Sequence, residues 1–158
     1  IAEIIQTGFV NPKLAKLGLL YKLGVGIHDA RFYLNHRNDP APVSADEQKR
    51  QLEVQAFTQE IAKLAETFQM TTAQLEAELQ AIPFDEILVL ADPDAGCNFD
   101  LTTLQYADGV KKADPIAFLR INLFVRLWRK LGWSIEETER WLGPVLNYDP
   151  KLARSAAA

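Results

Sequence analysis

Apolar residues recur at helical spacing along most of the chain, and the pattern itself repeats. Residues 124–142 (FVRLWRKLGWSIEETERWL) align without a gap on residues 61–79 (IAKLAETFQMTTAQLEAEL), and a shorter third copy (LGVGIHDARFYL) covers residues 23–34. Each copy contains the apolar end of one helix, a turn, and the start of a second, capped helix. Because such units bury their apolar faces by stacking against neighbours, the sequence predicts an all-α fold of stacked helix–turn–helix hairpins.

Capping signals mark where the predicted helices begin. Asn11 followed by Pro12 predicts a first helix that ends near Gly24, since Asn is a good N-cap and Pro suits the first turn. A Ser or Thr with Glu or Gln three residues later forms a capping box. The pattern occurs at Ser44 with Glu47, Thr71 with Gln74, and Ser134 with Glu137, and it predicts helices ending near Phe68, Ile82 and Gly143.

The stretch between the second and third capping boxes is less regular. The residues FDEILVLA after Pro83 predict a short helix. Residues 92–113 carry Gly96, Gly109 and several Asp and Asn residues, which favour turns. An irregular loop, a short extended segment or a short helix would fit residues 92–113.

The most regular helix is predicted over residues 115–131, after the N-cap signal of Asp114 and Pro115. Its apolar residues, at spacings of three and four, cover a surface broad enough to contact neighbours on more than one side. Gly132 suits the position after the helix end. The three tryptophans, Trp128, Trp133 and Trp141, are predicted to be core or interface residues, and the register of Trp133 on Met70 favours the core. The predicted structural and interaction residues are Leu119, Leu123, Leu127, Trp128, Leu131, Gly132, Trp133, Ser134 and Trp141.

Length and composition limit the class of protein that this sequence can encode. The 158 residues, 48% hydrophobic and 24% charged, suit a single globular helical domain covering residues 1–158. Because the chain starts without Met and ends RSAAA, we expect a fragment of a much larger protein. One cysteine excludes an internal disulfide, no signal peptide is visible, and no uncharged apolar run approaches the ~20 residues that span a bilayer.

Patterns for catalysis or metal binding are weak. The candidate metal ligands, His28, His36 and Cys97, lack the short spacings of metal sites. The carboxylates that could be paired for acid–base chemistry are Asp85, Glu86, Asp92 and Asp94, but carboxylates beside turns commonly cap helices. No nucleophile elbow, phosphate-binding loop or dinucleotide fingerprint occurs. The sequence therefore predicts no enzyme, no metal and no cofactor.

A nucleic-acid-binding helix–turn–helix is an alternative that charge disfavours. The second helices of the two long copies carry glutamates, which phosphates would repel, and the net charge is −4. Arg120, Arg126, Arg129 and Lys130 cluster on the preceding helix, where a solvated stripe or acidic neighbours would explain them as well. A free-standing helical protein–protein interaction module is the other alternative.

Residues 84–142 resemble a known family. The stretches FDEILVLADPDAGCNFDLTTLQYADG (84–109) and FLRINLFVRLWRKLGWSIEETERWL (118–142) are similar to the virulence-plasmid A-protein homology region in the A component of bacterial insecticidal toxin complexes, the Tc toxins. Residues 1–83 match less sharply. Gln69 departs from the glycine of the other copies, so we expect that turn to be built differently. Thr138 stands where leucine is commoner, which predicts a weakened core contact.

The resemblance implies a structural role. The A components are very large secreted proteins that assemble as homo-pentamers, bind target-cell surfaces and form a channel that injects a toxic enzyme carried by a separate component. This chain would be a segment of the helical shell around that channel. Its partners would be other domains and protomers of the parent toxin and other toxin-complex components. Contact with the target-cell surface would belong to other parts of the toxin, and this segment would contact neither nucleic acid nor membrane.

Overall fold

The computed structural model describes residues 1–91 and 103–146, which form seven α-helices and one two-stranded sheet. The chain divides into two compact units: residues Leu19–Ile82, called the inserted unit, and residues Ile1–Gly18 with Pro83–Ala158, called the split unit. The mainly helical class is confirmed, and a small two-stranded sheet is added to the helices. A single domain covering the whole chain stays a prediction.

The inserted unit is a bundle of helices. It contains α2 (Gly18–Leu23), α3 (Ile27–His36), α4 (Ala45–Thr67) and α5 (Thr72–Gln80). Helix α3 packs on α4 and α5, and α4 packs on α5. The fully buried side chains include Tyr33 on α3, Ile61 on α4 and Leu75 on α5, and the Tyr33 ring lies 5.1 Å from the ring of Phe57. Each helix thus turns one apolar face inward, as its spacing predicts.

The split unit combines helices with the sheet. It contains α1 (Ala2–Ile5), a 3₁₀ turn (Leu14–Leu17), strands β1 (Leu88–Ala91) and β2 (Thr103–Tyr106), and helices α6 (Pro115–Leu131) and α7 (Ile135–Leu146). The strands are antiparallel, with Leu88 opposite Tyr106 and Ala91 opposite Thr103. Helix α1 packs on both β1 and α6, and α6 packs on α7. The buried core consists of Ile4, Ile5, Val10, Leu88, Tyr106, Ala117, Phe124 and Leu142.

The helix predicted after Pro83 is wrong. A 3₁₀ turn covers Phe84–Glu86, and the apolar run that follows is strand β1. A run of four apolar residues has no periodicity that separates a strand from a buried helix, and here the pairing with β2 decides. Strand β2 lies inside the segment 92–113, where an extended conformation was one of the predicted possibilities. Residues 92–102 lie outside the described residues.

Asn11 does not cap a helix, contrary to the prediction. Its buried side chain donates from Nδ2 to the Leu88 carbonyl at 2.8 Å and accepts from the Leu88 N–H on Oδ1 at 3.1 Å. The amide therefore satisfies both backbone groups of a residue in β1, as a neighbouring strand would. The 3₁₀ turn that follows begins after Lys13, without a side-chain cap.

All three repeats end their first helix on a residue in the left-handed conformation. Gly24, Gln69 and Gly132 have φ angles of 68°, 56° and 66°. After the first two, the next N–H reaches back across the turn at 2.9 Å, from Val25 to Leu20 and from Met70 to Ala65, which is the Schellman pattern. Gln69 therefore adopts the same left-handed conformation as the two glycines, and the expectation of a different turn is wrong.

The predicted N-caps are confirmed at four positions. The hydroxyls of Ser44, Thr71 and Ser134 accept from the N–H three residues later at 3.1–3.2 Å, and Asp114 accepts from the Ala117 N–H at 2.9 Å. The predicted end of α7 at Gly143 is wrong, because the helix continues to Leu146 with Pro144 inside it. Proline removes only its own N–H from the ladder, so Val145 and Leu146 can still complete the last turn.

Candidate interaction surface

The nine predicted residues do not form one site. Leu127 and Trp128 are half-buried and pack against the core of the split unit, and Leu131 is also half-buried. Gly132 and Ser134 have local roles, as the left-handed residue after α6 and the cap of α7. The remaining four, which face solvent, are Leu119, Leu123, Trp133 and Trp141. Four of the nine predicted residues therefore lie on an exposed surface, and the other five stabilise the hairpin.

Helix α6 carries an exposed apolar stripe. Ile116, Leu119 and Leu123 are 58%, 56% and 45% exposed and are followed by the half-buried Leu127. Spacings of three, four and four place these residues on one side of the helix. Phe124, on the inward side, is fully buried and contacts the ring of Phe9 at a centroid distance of 5.9 Å.

Two tryptophans form an exposed aromatic corner at the start of α7 and along it. The rings of Trp133 and Trp141 meet edge to face with centroids 6.3 Å apart, and both are exposed. With Glu137, Arg140, Pro144 and Val145 they line an open groove of about 620 Å³. The favoured core position is wrong for Trp133 and Trp141, which are 39% and 59% exposed. Of the three tryptophans, Trp128 is the one that packs against the core.

Basic side chains flank the α6 stripe. Arg120, Arg126, Arg129 and Lys130 are exposed, and none of them forms an ion pair with another residue in the described part of the chain. Helix α6 itself contains no Asp or Glu. Acidic groups act at the helix starts instead: the Ala117 N–H lowers the pKa of Asp114, and hydrogen bonds from Ser134 lower the pKa of Glu137.

A buried glutamate on α7, which the sequence analysis did not identify, joins this helix to the segment around Gly8. Glu139 is fully buried, and its Oε1 accepts from the Gly8 N–H at 2.8 Å. In the repeat register Glu139 aligns with Glu76, which accepts a hydrogen bond from the Tyr33 hydroxyl and lies 3.6 Å from Arg37. The shared register was a signal that this glutamate faces inward in both hairpins.

Ionisable side chains line two smaller cavities, one in each unit. The cavity of about 240 Å³ in the inserted unit includes His36, which pairs with Asp39 at 2.8 Å. The cavity of about 280 Å³ in the split unit includes Asp85, Glu86 and Asp114, and there Asp114 already serves as a helix cap. His28 lies apart from both cavities, 3.4 Å from Arg31.

Among residues 1–91 and 103–146, no group of three or more His, Cys, Asp or Glu side chains could hold a metal ion. Cys97, Asp92 and Asp94, which were candidates for metal or acid–base chemistry, lie outside those residues. None of the described helices is long and apolar enough to cross a membrane.

Comparisons of the chain with protein-family models, with curated proteins and with solved structures found no match.

Proposed function

We propose that this chain is a structural helical-shell segment of the A component of a bacterial Tc toxin, without catalysis of its own. The resemblance of residues 84–142 to that family motivates the proposal, and the exposed apolar surface on α6 and α7 supports it. In this role, stacked hairpins hold the shape of a shell that encloses a channel. Binding of target cells, pore formation and toxin translocation would be carried out by other parts of the parent protein.

The observation that carries the proposal is a contrast between matched positions in the two long repeats. Extending the register of the repeats places Ile116 on Glu53, Leu123 on Glu60 and Trp141 on Glu78. The three glutamates are exposed on α4 and α5, so the hairpin folds with charged residues at these positions. The apolar residues on α6 and α7 are thus not needed for the hairpin itself, and exposed apolar surface of this kind is typical of a contact with another protein body.

The partners in this proposal are neighbouring domains and protomers of a secreted, pentameric toxin, together with other toxin-complex components. No cofactor or nucleic acid takes part. A free-standing helical interaction module is the second candidate, because the same exposed surface would serve a separate binding partner equally well.

The size of the native polypeptide separates the two candidates. An antibody raised against the chain is used to probe culture medium and cell lysate of the source organism on a denaturing gel, with the purified 17.8 kDa chain as the size standard. The toxin proposal expects a band many times larger, present in the medium and migrating as an oligomer on a native gel. A native band of the same size as the standard contradicts it and favours the interaction module.

A further inference from the structure

The apolar stripe of α6 is narrow. Ile116, Leu119, Leu123 and Leu127 occupy one side of the helix, with Arg126 along one edge of the stripe and Arg120 along the other. Lys130 lies in line with Leu123, two turns farther along, at the carboxyl-terminal end of the stripe. A stripe of this width resembles the seam of two packed helices. A helix that lies in a membrane surface instead buries a much wider apolar face.

The charges beside the stripe define what could cover it. All four ionised side chains of α6 are basic, and none of them forms an ion pair with a described acid. Asp85, Glu86 and Asp114 line a cavity with Ile116 and Arg120 at the start of the helix, so the basic charge beside the stripe comes from the residues farther along, Arg126, Arg129 and Lys130. A second copy of α6 packed against the stripe would bring like charges together, which is unfavourable along a helix seam. A helix with an apolar stripe and glutamates or aspartates beside it would cover the exposed apolar residues and would carry the charge opposite to that of the basic side chains.

We propose that the α6 stripe is a docking seam for an acidic amphipathic α-helix of a neighbouring protein segment. This inference rests on the proposed function in one respect, since it names the chemistry of the partner that the scaffold role requires. Apolar side chains of the partner would cover Leu119 and Leu123, and its acidic side chains would pair with Arg126 beside the stripe and with Lys130 at its carboxyl-terminal end. Such a seam gives both affinity, from the covered leucines, and register, from the charge pairs.

The test uses designed peptides as probes for the whole chain. One fluorescein-labelled helical peptide of about 20 residues carries leucines at spacings of three and four with Glu at both edges, and a second differs only in having Lys at those edges. Fluorescence anisotropy at low salt should show binding of the Glu peptide at least about tenfold tighter than the Lys peptide. The preference should shrink as NaCl is raised, because salt screens exposed charge pairs.

Variants place the binding on α6. The double substitution Leu119→Gln with Leu123→Gln should weaken binding of the Glu peptide about tenfold or more, since it removes the leucines that the probe covers. Leu52→Gln is the control, because Leu52 is a leucine on α4 that is even more exposed than Leu119 and Leu123, and it should change the Kd by less than about twofold. Arg126→Glu with Lys130→Glu should reverse the preference in favour of the Lys peptide.

Equal affinity for the two peptides, or an affinity that the leucine substitutions leave unchanged, overturns the inference. So does binding to anionic phosphatidylserine vesicles without discrimination between the peptides, which would assign the stripe to a membrane surface. A 17.8 kDa native product would end the toxin-shell proposal but would leave peptide discrimination intact. The two ideas can therefore fail separately.

Discussion

The α4–α5 and α6–α7 hairpins are built by the same local chemistry on different neighbours. In both, a left-handed residue ends the first helix, a hydroxyl caps the second, and a glutamate in matched register fastens the second helix to an earlier part of its own unit. Their inward residues also correspond, with Ile61 matching Phe124 and Leu79 matching Leu142. What differs is part of the outward side, where Glu53, Glu60 and Glu78 of one hairpin match Ile116, Leu123 and Trp141 of the other. The same turn, cap and buried residues thus build both hairpins, and their exposed residues can differ without changing the hairpin.

The inward correspondence predicts the largest effect. Phe124→Ala should lower the free energy of unfolding of the split unit by about 3–5 kcal/mol, because a fully buried aromatic ring leaves a cavity. Urea unfolding followed by tryptophan fluorescence reports this unit, since all three tryptophans lie in it. Phe118→Ala is the matched control: Phe118 is an exposed residue on the same helix, so the change should stay within about 0.5 kcal/mol. Similar losses for the two variants would contradict the assignment of the inward face.

Replacing each of the two matched glutamates by alanine should lower the free energy of unfolding by a different amount. Glu139→Ala should destabilise the split unit by about 2–3 kcal/mol, because it leaves the Gly8 N–H buried without this acceptor. Glu76→Ala in the inserted unit should cost less, since the Glu76 side chain is 31% exposed and water can replace its carboxylate. Thermal unfolding by far-UV circular dichroism, supported by tryptophan fluorescence for Glu139→Ala, measures both. A larger loss at Glu76 would reverse the expected order.

At the two left-handed positions, we expect substitutions to change the free energy of unfolding in opposite directions. Gly132→Gln should destabilise the split unit by about 1 kcal/mol, because a side chain is strained at positive φ even where no atom lies within 4 Å of its Cβ. Gln69→Gly should stabilise the inserted unit by about 0.5–1 kcal/mol by relieving the same strain. Chemical denaturation of each variant beside the parent provides the test, and changes of the same sign would show that the two turns are not equivalent.

The capping residues predict the smallest effect, a difference in acid sensitivity. The lowered pKa of Glu137 means that its ionised form stabilises the fold above the pKa of the unfolded chain, and that this contribution is lost as pH falls through the lowered value. Its partner in the register, Gln74, does not titrate. Between about pH 5 and 3, Glu137→Gln should therefore reduce the fall in the thermal midpoint of the split unit. Gln74→Glu should add a comparable fall in the inserted unit, and pH profiles identical to those of the parent would contradict the argument.

Sequence reasoning succeeded where structure depends on nearby residues. The four N-caps and the left-handed ends at Gly24 and Gly132 follow from side chains within a few positions of the backbone groups that they satisfy. Gln69 shows the limit of residue preference, because the helices on both sides impose a conformation that the side chain disfavours. Thr138, expected to weaken the core, is fully buried, and its hydroxyl donates to the Ser134 carbonyl at 2.9 Å.

Sequence reasoning failed where distant segments decide. Strand β1 depends on β2, and the Asn11 side chain depends on a strand residue 77 positions away, so neither can be read from local signals. The exposure of Trp133 and Trp141 was missed for another reason. An apolar residue in a helix repeat suits either a core or an outer contact, and the pattern alone does not say which one is present.

The pairing of Asn11 with Leu88 has a consequence for the order in which the molecule is made. In the sequence, Asn11 precedes residues 19–82 and Leu88 follows them. The hydrogen bonds between Asn11 and Leu88 therefore cannot form until the ribosome has released the strand. Residues 19–82 form a continuous stretch and can complete their own packing during that wait. Residues 1–18 are synthesised before the inserted unit, but Asn11 can bind Leu88 only after the inserted unit has been made.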